Sequence, residues 1–202
     1  MKIVIVGAGR CGLSLARATE AVGHDVVVVH HDEVQHLPAA DAVILCVPDS
    51  AIANVAADIA PTPAVVMHVA GSRGLDVLHP HARVASLHPL MALPNPEVGS
   101  QRLREATFAV AGDPLATEIV VSLGGRPVAL HDDSRVNYHA AACVAANHLV
   151  ALMASVDEIA RSVGLTVDDY LPLAMASLRD VAAMGPRDAL TGRSEEHTSE
   201  LQ

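Results

Sequence analysis

The stretch KIVIVGAGRCG, residues 2–12, decides the fold of this chain. Its first half, KIVIV, has the length and the β-branched content of a short buried strand. A turn with three glycines follows, and LSLARATEAVG (residues 13–23) then carries apolar residues at helical spacing. The stretch therefore predicts a strand, a tight turn and a helix in direct succession.

Further strand-like segments recur along the first two thirds of the chain. They are DVVVV (25–29), DAVILCVP (41–48), AVVMHVAG (64–71), RVASLHP (83–89), TFAVAG (107–112) and RPVAL (126–130). DVVVV is typical of a parallel strand covered on both faces, and the connecting segments are short and mostly helical in pattern. Residues 1–131 are therefore predicted to form a Rossmann-type α/β domain, a doubly wound and mostly parallel sheet that binds ligands at the carboxyl ends of its strands.

The pattern changes after residue 130. HDDSRVNYHAAACVAANHLVALMASVDEIARSVG has no proline or glycine before its last residue, and it predicts one helix of about 28 residues with an N-cap among residues 132–134. A second helix is predicted from a capping box at Thr166–Asp169 to a stop before Gly185. Residues 132–192 are thus predicted to be an incomplete all-α domain.

Composition excludes several classes of protein. Hydrophobic residues make up 51% of the chain, which is typical of a packed globular core, and only 1% of residues are aromatic. The net charge of -10 and the lack of aromatic stacking surfaces argue against nucleic-acid binding. Three scattered cysteines fit a reducing cytosol, and the N-terminal apolar run is too short for a signal peptide or a membrane span. We therefore expect a soluble cytoplasmic protein without a membrane partner. We also expect no metal site, because no histidine pair has cysteine or carboxylate partners at zinc-site spacing.

The glycine-rich turn has the spacing of a dinucleotide-binding loop. It reads G-x-G-x-x-G and stands between a predicted strand and a predicted helix, the context in which this motif is specific. In such loops the first glycine permits the turn, the second lets the backbone approach a pyrophosphate, and the third lets helix and strand pack closely. The predicted cofactor contacts here are Gly7, Ala8, Gly9, Arg10, Cys11 and Gly12.

The end of the second strand favours NADP, with NAD as the alternative. An NAD-specific fold usually has a carboxylate there for the ribose hydroxyls, whereas this chain has His30 and His31 and no carboxylate before Asp32. Together with Arg10, these histidines can face a 2′-phosphate. Plain solvent exposure of both histidines is the other interpretation.

The later strand ends carry residues for the rest of the cofactor and for chemistry. Val47, Pro48 and Asp49 close one strand, and Gly71 and Ser72 close the next; all five are predicted to border the cofactor. His88 follows on the strand after that. Reduction of a carbonyl or imine needs a proton donor, and histidine titrates near neutral pH. His88 is therefore one candidate acid or base.

His139 is the second candidate. His139, Cys143 and Asn147 are four residues apart in turn, which places them on one face of the predicted helix. Asn147 is then predicted to hold a substrate oxygen while His139 moves the proton. The alternative is a close-packed helix interface, rich in alanine, that encloses a satisfied histidine.

Seven segments together resemble one family. GAGRCG, CVPDSAI, HVAGSRGLDVL, SLHPL, FAVAGD, LGGRPVAL and NYHAAACVAANHLVAL are similar, in this order, to Rossmann-like proteins with a C-terminal domain of unknown function 2520, and the resemblance covers residues 1–192. The family resembles the 6-phosphogluconate dehydrogenase and ketopantoate reductase superfamily. His88-Pro89 is similar to the His-Pro pair of prephenate dehydrogenases, and His139 stands roughly where hydroxyacid dehydrogenases of the superfamily have a lysine.

The resemblance implies an NADP-dependent oxidoreductase that acts on a small carbonyl, hydroxyl or imine substrate, and a homodimer formed through the completed helical domain. Two alternatives stay open. One is a nucleotide-binding or sensing protein without turnover, and the other is hydride exchange between NADP and a deazaflavin coenzyme.

The final ten residues, RSEEHTSELQ (193–202), have a different origin in our interpretation. They equal the translation of the sequencing-adapter oligonucleotide AGATCGGAAGAGCACACGTCTGAACTCCAG in its first frame. We therefore expect residues 193–202 to be a non-native tail on a shortened chain, and the helical domain to continue in the natural protein.

Overall fold

A single sheet of seven strands organises the first part of the chain in the computed structural model, which describes residues 1–190. The strands are β1 (Lys2–Val6), β2 (Asp25–Val29), β3 (Ala42–Leu45), β4 (Val65–His68), β5 (Val84–Pro89), β6 (Thr107–Gly112) and β7 (Arg126–Ala129). Their order across the sheet is β2-β1-β3-β4-β5-β6-β7. Every strand lies within a segment predicted from the sequence.

The sheet is mostly parallel, as predicted. Strands β1 to β5 run in one direction, whereas β6 pairs antiparallel with β5, with Leu87 opposite Val110. β7 is parallel to β6 and so shares its reversed direction. The carboxyl ends of β1 to β5 therefore meet at one edge of the sheet, and those of β6 and β7 lie at the other.

Helices cover both faces of the sheet, which confirms the doubly wound α/β class. They are α1 (Arg10–Ala21), α2 (Ile52–Asp58), α3 (Pro96–Leu103) and α4 (Leu115–Ser122). Because side chains alternate along a strand, Ile3 and Ile5 of β1 join the core that contains residues of α1, α3 and α4. Val4 and Val6 point to the opposite core, which contains residues of α2.

The prediction for β2 was wrong in one respect. The run DVVVV was expected to be covered on both faces, but β2 is an edge strand that pairs only with β1. None of its five residues is fully buried, and Val27 is 42% exposed. An unbroken β-branched run indicates a parallel strand, but it does not show whether the strand lies at the centre or at the edge.

Helices fill the chain after β7. A 3₁₀ turn (Asp132–Ser134) leads into α5 (Arg135–Cys143), a π-helical turn (Val144–His148), α6 (Leu149–Arg161) and α7 (Val167–Met184). The helix predicted from residue 132 onward is present, but with a π-helical turn inside it. The predicted capping box is also present, since the Asp169 carboxylate accepts the Thr166 backbone N–H at 2.9 Å.

The chain divides into two compact units, Met1–Cys143 and Val144–Gln202. The division after residue 131 stays a prediction, and the boundary between these units lies within the helical region, after Cys143. Side chains of α5 explain this, because Arg135 and Tyr138 hydrogen-bond to residues of β5. The first unit therefore includes α5.

The helices after β7 expose many apolar side chains. Among residues 1–190, the segment Asp132–Arg161 is the one helix long and apolar enough to cross a membrane by length and composition. In the second unit, Val150, Ile159 and Leu173 are each at least 65% exposed. The last residues assigned to the helical domain, 191 and 192, and the predicted non-native tail, 193–202, lie outside the described residues.

Candidate active site

The glycine-rich turn has the geometry of a dinucleotide loop. Gly7 adopts a φ of +111°, a conformation that favours glycine, and a Cβ there would lie 2.6 Å from the Cys46 carbonyl oxygen. A Cβ on Gly12 would lie 2.0 Å from the Gly7 carbonyl oxygen. Both glycines are therefore required by the fold itself.

Gly9 differs from these two glycines, because the space beside it is open. A Cβ on Gly9 would meet no other group within 4 Å, and Gly9 is the N-cap of α1 without a side-chain cap. The first backbone N–H groups of a helix have no acceptor inside it and form an anion site. The exposed residues Ala8, Gly9 and Arg10 thus fit a pyrophosphate above the helix end.

Two thiols lie beneath this loop. Cys46, at the end of β3, is next to Cys11 in the loop, and their interaction lowers the pKa of the Cys11 thiol. The same interaction, together with burial, raises the pKa of Cys46. The sequence reasoning named Cys11 and missed Cys46, whose position behind Gly7 follows only from the pairing of β1 with β3.

At the end of β2, His30 and His31 are exposed, as a role in binding a 2′-phosphate requires. One carboxylate was missed. The Glu33 side chain folds back in the turn and accepts the backbone N–H of His30 at 3.1 Å. A carboxylate is therefore present at this strand end, although the sequence position suggested that there was none.

The ends of β3 and β4 are joined by a side-chain hydrogen bond. The Ser72 hydroxyl donates to the Asp49 carboxylate at 2.8 Å, and both residues are exposed. Val47 is half-buried and Pro48 is exposed at the same edge. The residues predicted to border the cofactor at these two strand ends are therefore adjacent.

His68 at the end of β4 is a structural residue. It is fully buried, its Nδ1 accepts the Ala70 backbone N–H at 3.2 Å, and its Nε2–H donates to the Gly74 carbonyl at 3.1 Å. Burial lowers its pKa. With both ring nitrogens bonded to backbone, His68 has no free nitrogen for a substrate.

His88 on β5 is held by Tyr138 of α5. The distance from His88 Nδ1 to the Tyr138 hydroxyl oxygen is 2.6 Å, and the two rings meet edge to face with centroids 5.4 Å apart. Burial, reinforced by the neighbouring His139, lowers the pKa of His88 to about 4. His88 is therefore neutral near pH 7. Burial also raises the pKa of the Tyr138 hydroxyl.

His139 lies beside His88, with ring centroids 6.5 Å apart. Its Nε2 is 3.4 Å from the Cys143 Sγ, so these two residues lie on one face of α5. Its Nδ1 is buried and has no hydrogen-bond partner among residues 1–190. A buried polar atom without a partner is costly in a fold, and this nitrogen is the one unpaired buried side-chain polar atom that the described residues show.

Gly71 lies against both histidines. A Cβ on this buried glycine would be 3.1 Å from His139 Nδ1 and 3.1 Å from His88 Nε2. The two nitrogens are therefore no more than twice that distance apart. Gly71, predicted as a cofactor contact, packs against both imidazole rings.

A buried arginine lies behind this group. Arg135 of α5 is 3% exposed, and its guanidinium donates to the Ser86 hydroxyl at 3.0 Å and to the Asp132 carboxylate at 2.6 Å. The bond to Ser86 joins α5, which carries Tyr138 and His139, to β5. Arg135 was missed in the sequence, because the pattern alone does not show which arginine is buried.

Asn147 is placed differently from the two histidines. It belongs to the π-helical turn of the second unit, is exposed, and makes no side-chain hydrogen bond with residues 1–190. Asn147 was predicted to share a helix face with His139 on the basis of α-helical spacing. The π-helical turn has i→i+5 hydrogen bonds instead, so that spacing does not apply there. Its role as a substrate contact stays a prediction.

The candidate cofactor contacts and the two candidate catalytic histidines lie at the end of the sheet that carries the carboxyl ends of β1 to β5. The glycine loop, the Asp49–Ser72 pair and His88 with His139 all follow the carboxyl ends of β1 to β5, where ligands bind in open α/β sheets. A cavity of about 280 Å³ beside Asp113, Thr117 and His131 lies at the opposite edge. Within residues 1–190 no three potential metal ligands cluster.

Comparisons with known proteins agree with this architecture. The family model described as Domain of unknown function (DUF2520) matches residues 106–195. A comparison with curated proteins finds no match. A proposed NADP oxidoreductase from Bacteroides fragilis has a similar structure, with a TM-score of 0.81 and 22% identity over 95% of this chain and 84% of that one.

Two structures of known activity are also similar. Pyrroline carboxylate reductase from Plasmodium falciparum with NADP bound has a TM-score of 0.66 and 12% identity, over 90% of this chain and 79% of that one. A reductive aminase from Aspergillus terreus in complex with NADPH and ethyl levulinate has a TM-score of 0.69 and 18% identity, over 90% and 73%. These similarities establish the shared fold.

Proposed function

We propose that this chain, whose residues 106–195 match the DUF2520 family, is an NADP(H)-dependent oxidoreductase. It moves a hydride between the cofactor and a small carbonyl, hydroxyl or imine substrate. The observation that carries this proposal is the position of His88 and His139. Both rest on Gly71, at the same sheet edge as the open N-terminus of α1.

The cofactor is assigned to the loop Gly7–Gly12, with the pyrophosphate at Gly9 and the helix end. NADP is preferred to NAD because Arg10, His30 and His31 are exposed at this end of the sheet, where they can face a 2′-phosphate, although the Glu33 carboxylate lies beside them. The similar reductases with NADP or NADPH bound support this choice. When bound, the nicotinamide supplies the hydride; the protein orients the substrate and handles its proton.

His88 and His139 are the residues assigned to the proton. His88 is neutral near pH 7 because its pKa is lowered to about 4. A neutral imidazole still serves as a hydrogen-bond donor or as a base. Both rings are half-buried, which reduces their contact with water without closing the site to it.

The experiment combines cofactor binding with a substrate panel. NADPH binding is measured by calorimetry, and NADPH consumption is then followed with 2-oxo acids, ketones, aldehydes and cyclic imines. We expect saturable binding, and turnover that His88→Ala or His139→Ala reduces at least tenfold without changing NADPH affinity. Absence of NADPH binding contradicts the proposal, and binding without any turnover supports the nucleotide-sensing alternative. Turnover with a deazaflavin coenzyme alone would support the other alternative, hydride exchange between NADP and that coenzyme.

We also propose that the helices of the second unit form a homodimer and that the protein is cytoplasmic. Support comes from exposed apolar side chains such as Ile159 and Leu173. Exposed apolar side chains grouped on neighbouring helices are typical of an interaction site, and a second copy of the chain is the partner that we propose.

Sedimentation velocity tests this arrangement. The wild-type chain is expected to sediment as a dimer and Leu173→Asp as a monomer. Val121→Asp is the matched control, since Val121 of α4 is 58% exposed in the first unit. A monomeric wild type, or recovery of the protein in the membrane fraction, contradicts the proposal.

A further inference from the structure

We infer that the site binds the oxygen of a carbonyl substrate through two imidazole N–H groups, those of His88 Nε2 and His139 Nδ1, and that Tyr138 and Cys143 fix these protons in place. This inference rests on the proposed function and narrows its substrate class. Carbonyl compounds become the preferred substrates, and imines are disfavoured.

The proton of His88 is fixed by Tyr138. Among residues 1–190 the hydrogen-bond partner of the Tyr138 hydroxyl is His88 Nδ1, at 2.6 Å. The hydroxyl keeps its proton at neutral pH because its pKa is raised, so it donates to Nδ1. A neutral imidazole has one acceptor and one donor nitrogen. The ring proton of His88 is therefore on Nε2, the nitrogen that lies against Gly71.

The proton of His139 is fixed by Cys143 in the same way. The Cys143 Sγ lies 3.4 Å from Nε2 of His139. Sulfur is a weak acceptor, whereas an imidazole nitrogen that carries no proton accepts well, so the geometry assigns the thiol S–H as the donor to Nε2. The ring proton of His139 is then on Nδ1, the buried atom without a partner.

The nitrogens of these two groups both face Gly71 and lie no more than twice 3.1 Å apart. Each nitrogen would be 3.1 Å from a Cβ on Gly71, and glycine at this position leaves both rings undisturbed. Two neighbouring donors suit a carbonyl oxygen, which has two lone pairs and becomes negative as hydride adds to carbon. An imine nitrogen has one lone pair, and its protonated form is itself a donor. Two imidazole N–H groups therefore disfavour it.

The reaction balances if a bound reduced nicotinamide supplies the hydride, these groups supply the proton, and water replaces that proton. Hydride adds to the carbonyl carbon, the C=O π bond breaks, and its electron pair moves to oxygen. The oxygen takes the Nε2 proton of His88, while the Tyr138 hydroxyl proton passes to Nδ1. Tyr138 then regains a proton from water, since its side chain is only half-buried. The products are the alcohol and NADP⁺.

The positions of the protons are tested by NMR on the full chain labelled with ¹⁵N-histidine. Nitrogens with and without a proton have distinct ¹⁵N shifts, and His88→Gln and His139→Gln assign the two signals. We expect protonated Nε2 in His88 and protonated Nδ1 in His139. Tyr138→Phe and Cys143→Ala should each convert the facing histidine to a tautomer mixture. Cys143→Ser, which retains a donor, should preserve the wild-type pattern.

The substrate class is tested by NADPH-dependent turnover of cyclopentanone and 1-pyrroline as matched probes. We expect the ketone to be reduced at least tenfold faster, and Tyr138→Phe to lower kcat about 10- to 100-fold, as for loss of one oxyanion donor or proton donor, with NADPH affinity unchanged. Faster reduction of 1-pyrroline, or an unprotonated Nε2 in His88 or Nδ1 in His139, overturns the inference and leaves the proposed function standing. Loss of NADPH binding in the wild type contradicts the proposed function instead, and the NMR result still decides the proton positions.

Discussion

Replacement of Gly9 by alanine separates folding from cofactor binding. The Gly9 backbone has φ −76° and ψ −179°, which alanine adopts without strain. A Cβ there would meet no other group within 4 Å. Since alanine also restricts the unfolded chain, the free energy of unfolding should stay equal or rise by about 0.4–1 kcal/mol.

The same methyl group should weaken NADPH binding. It occupies the open space above the end of α1, where the second glycine of such loops lets a pyrophosphate approach the backbone. We expect the Kd for NADPH to rise at least tenfold, equivalent to about 1.4 kcal/mol. Calorimetry measures the affinity and urea denaturation measures the stability.

Gly12→Ala is the matched control, because its Cβ would lie 2.0 Å from the Gly7 carbonyl oxygen. This variant should lose stability as well as binding. If Gly9→Ala binds NADPH as tightly as the wild type, or unfolds at clearly lower urea concentration, the assignment of the loop is refuted.

Three further predictions concern the histidine cluster and its support. Gly71→Ala should lower kcat about tenfold and leave NADPH affinity unchanged, because the new Cβ would lie 3.1 Å from both imidazoles. Overpacking of this kind typically costs about 1–3 kcal/mol. Steady-state kinetics and calorimetry measure the two quantities, and an unchanged kcat would contradict the prediction. The free energy of unfolding should fall as the pH drops from 6.5 to 4. The pKa of His88 is lowered to about 4 in the folded state, so the unfolded state binds more protons in that range. Urea denaturation at each pH should show a smaller fall for His88→Gln than for the wild type, and an equal fall would contradict the assignment. Arg135→Met should lower the free energy of unfolding by about 1–3 kcal/mol, because the buried Ser86 hydroxyl loses its guanidinium partner. Arg17→Met, which removes an exposed ion pair, should lower it by less than about 1 kcal/mol. Equal losses in thermal denaturation would show that Arg135 has no special role.

Local patterns predicted most of the fold. The strand segments were evident from short β-branched runs bounded by turn residues, and TFAVAG coincides with β6 residue for residue. Strand direction was harder, because the same apolar pattern serves a parallel or an antiparallel neighbour. The reversal at β6 and the edge position of β2 depend on contacts between segments far apart in the chain.

The candidate site was predicted in part for the same reason. His88 and His139 were identified by residue type, and Gly71 by its place after a strand, but their mutual contact could not be read from positions far apart in sequence. Tyr138 was missed because its value lies in one hydrogen bond to β5. Hydrogen bonding distinguishes the histidines: His68 has both ring nitrogens bonded to backbone, whereas His139 Nδ1 has no partner among residues 1–190.

The central claim is that this chain transfers a hydride from NADPH to carbon. Its most direct test uses NADPH labelled with deuterium at C4 of the nicotinamide and mass spectrometry of the product. The account predicts an alcohol that carries one deuterium on its former carbonyl carbon, with far less label when His88→Ala replaces the wild type. Products without label across the whole panel of carbonyl and imine compounds would contradict it.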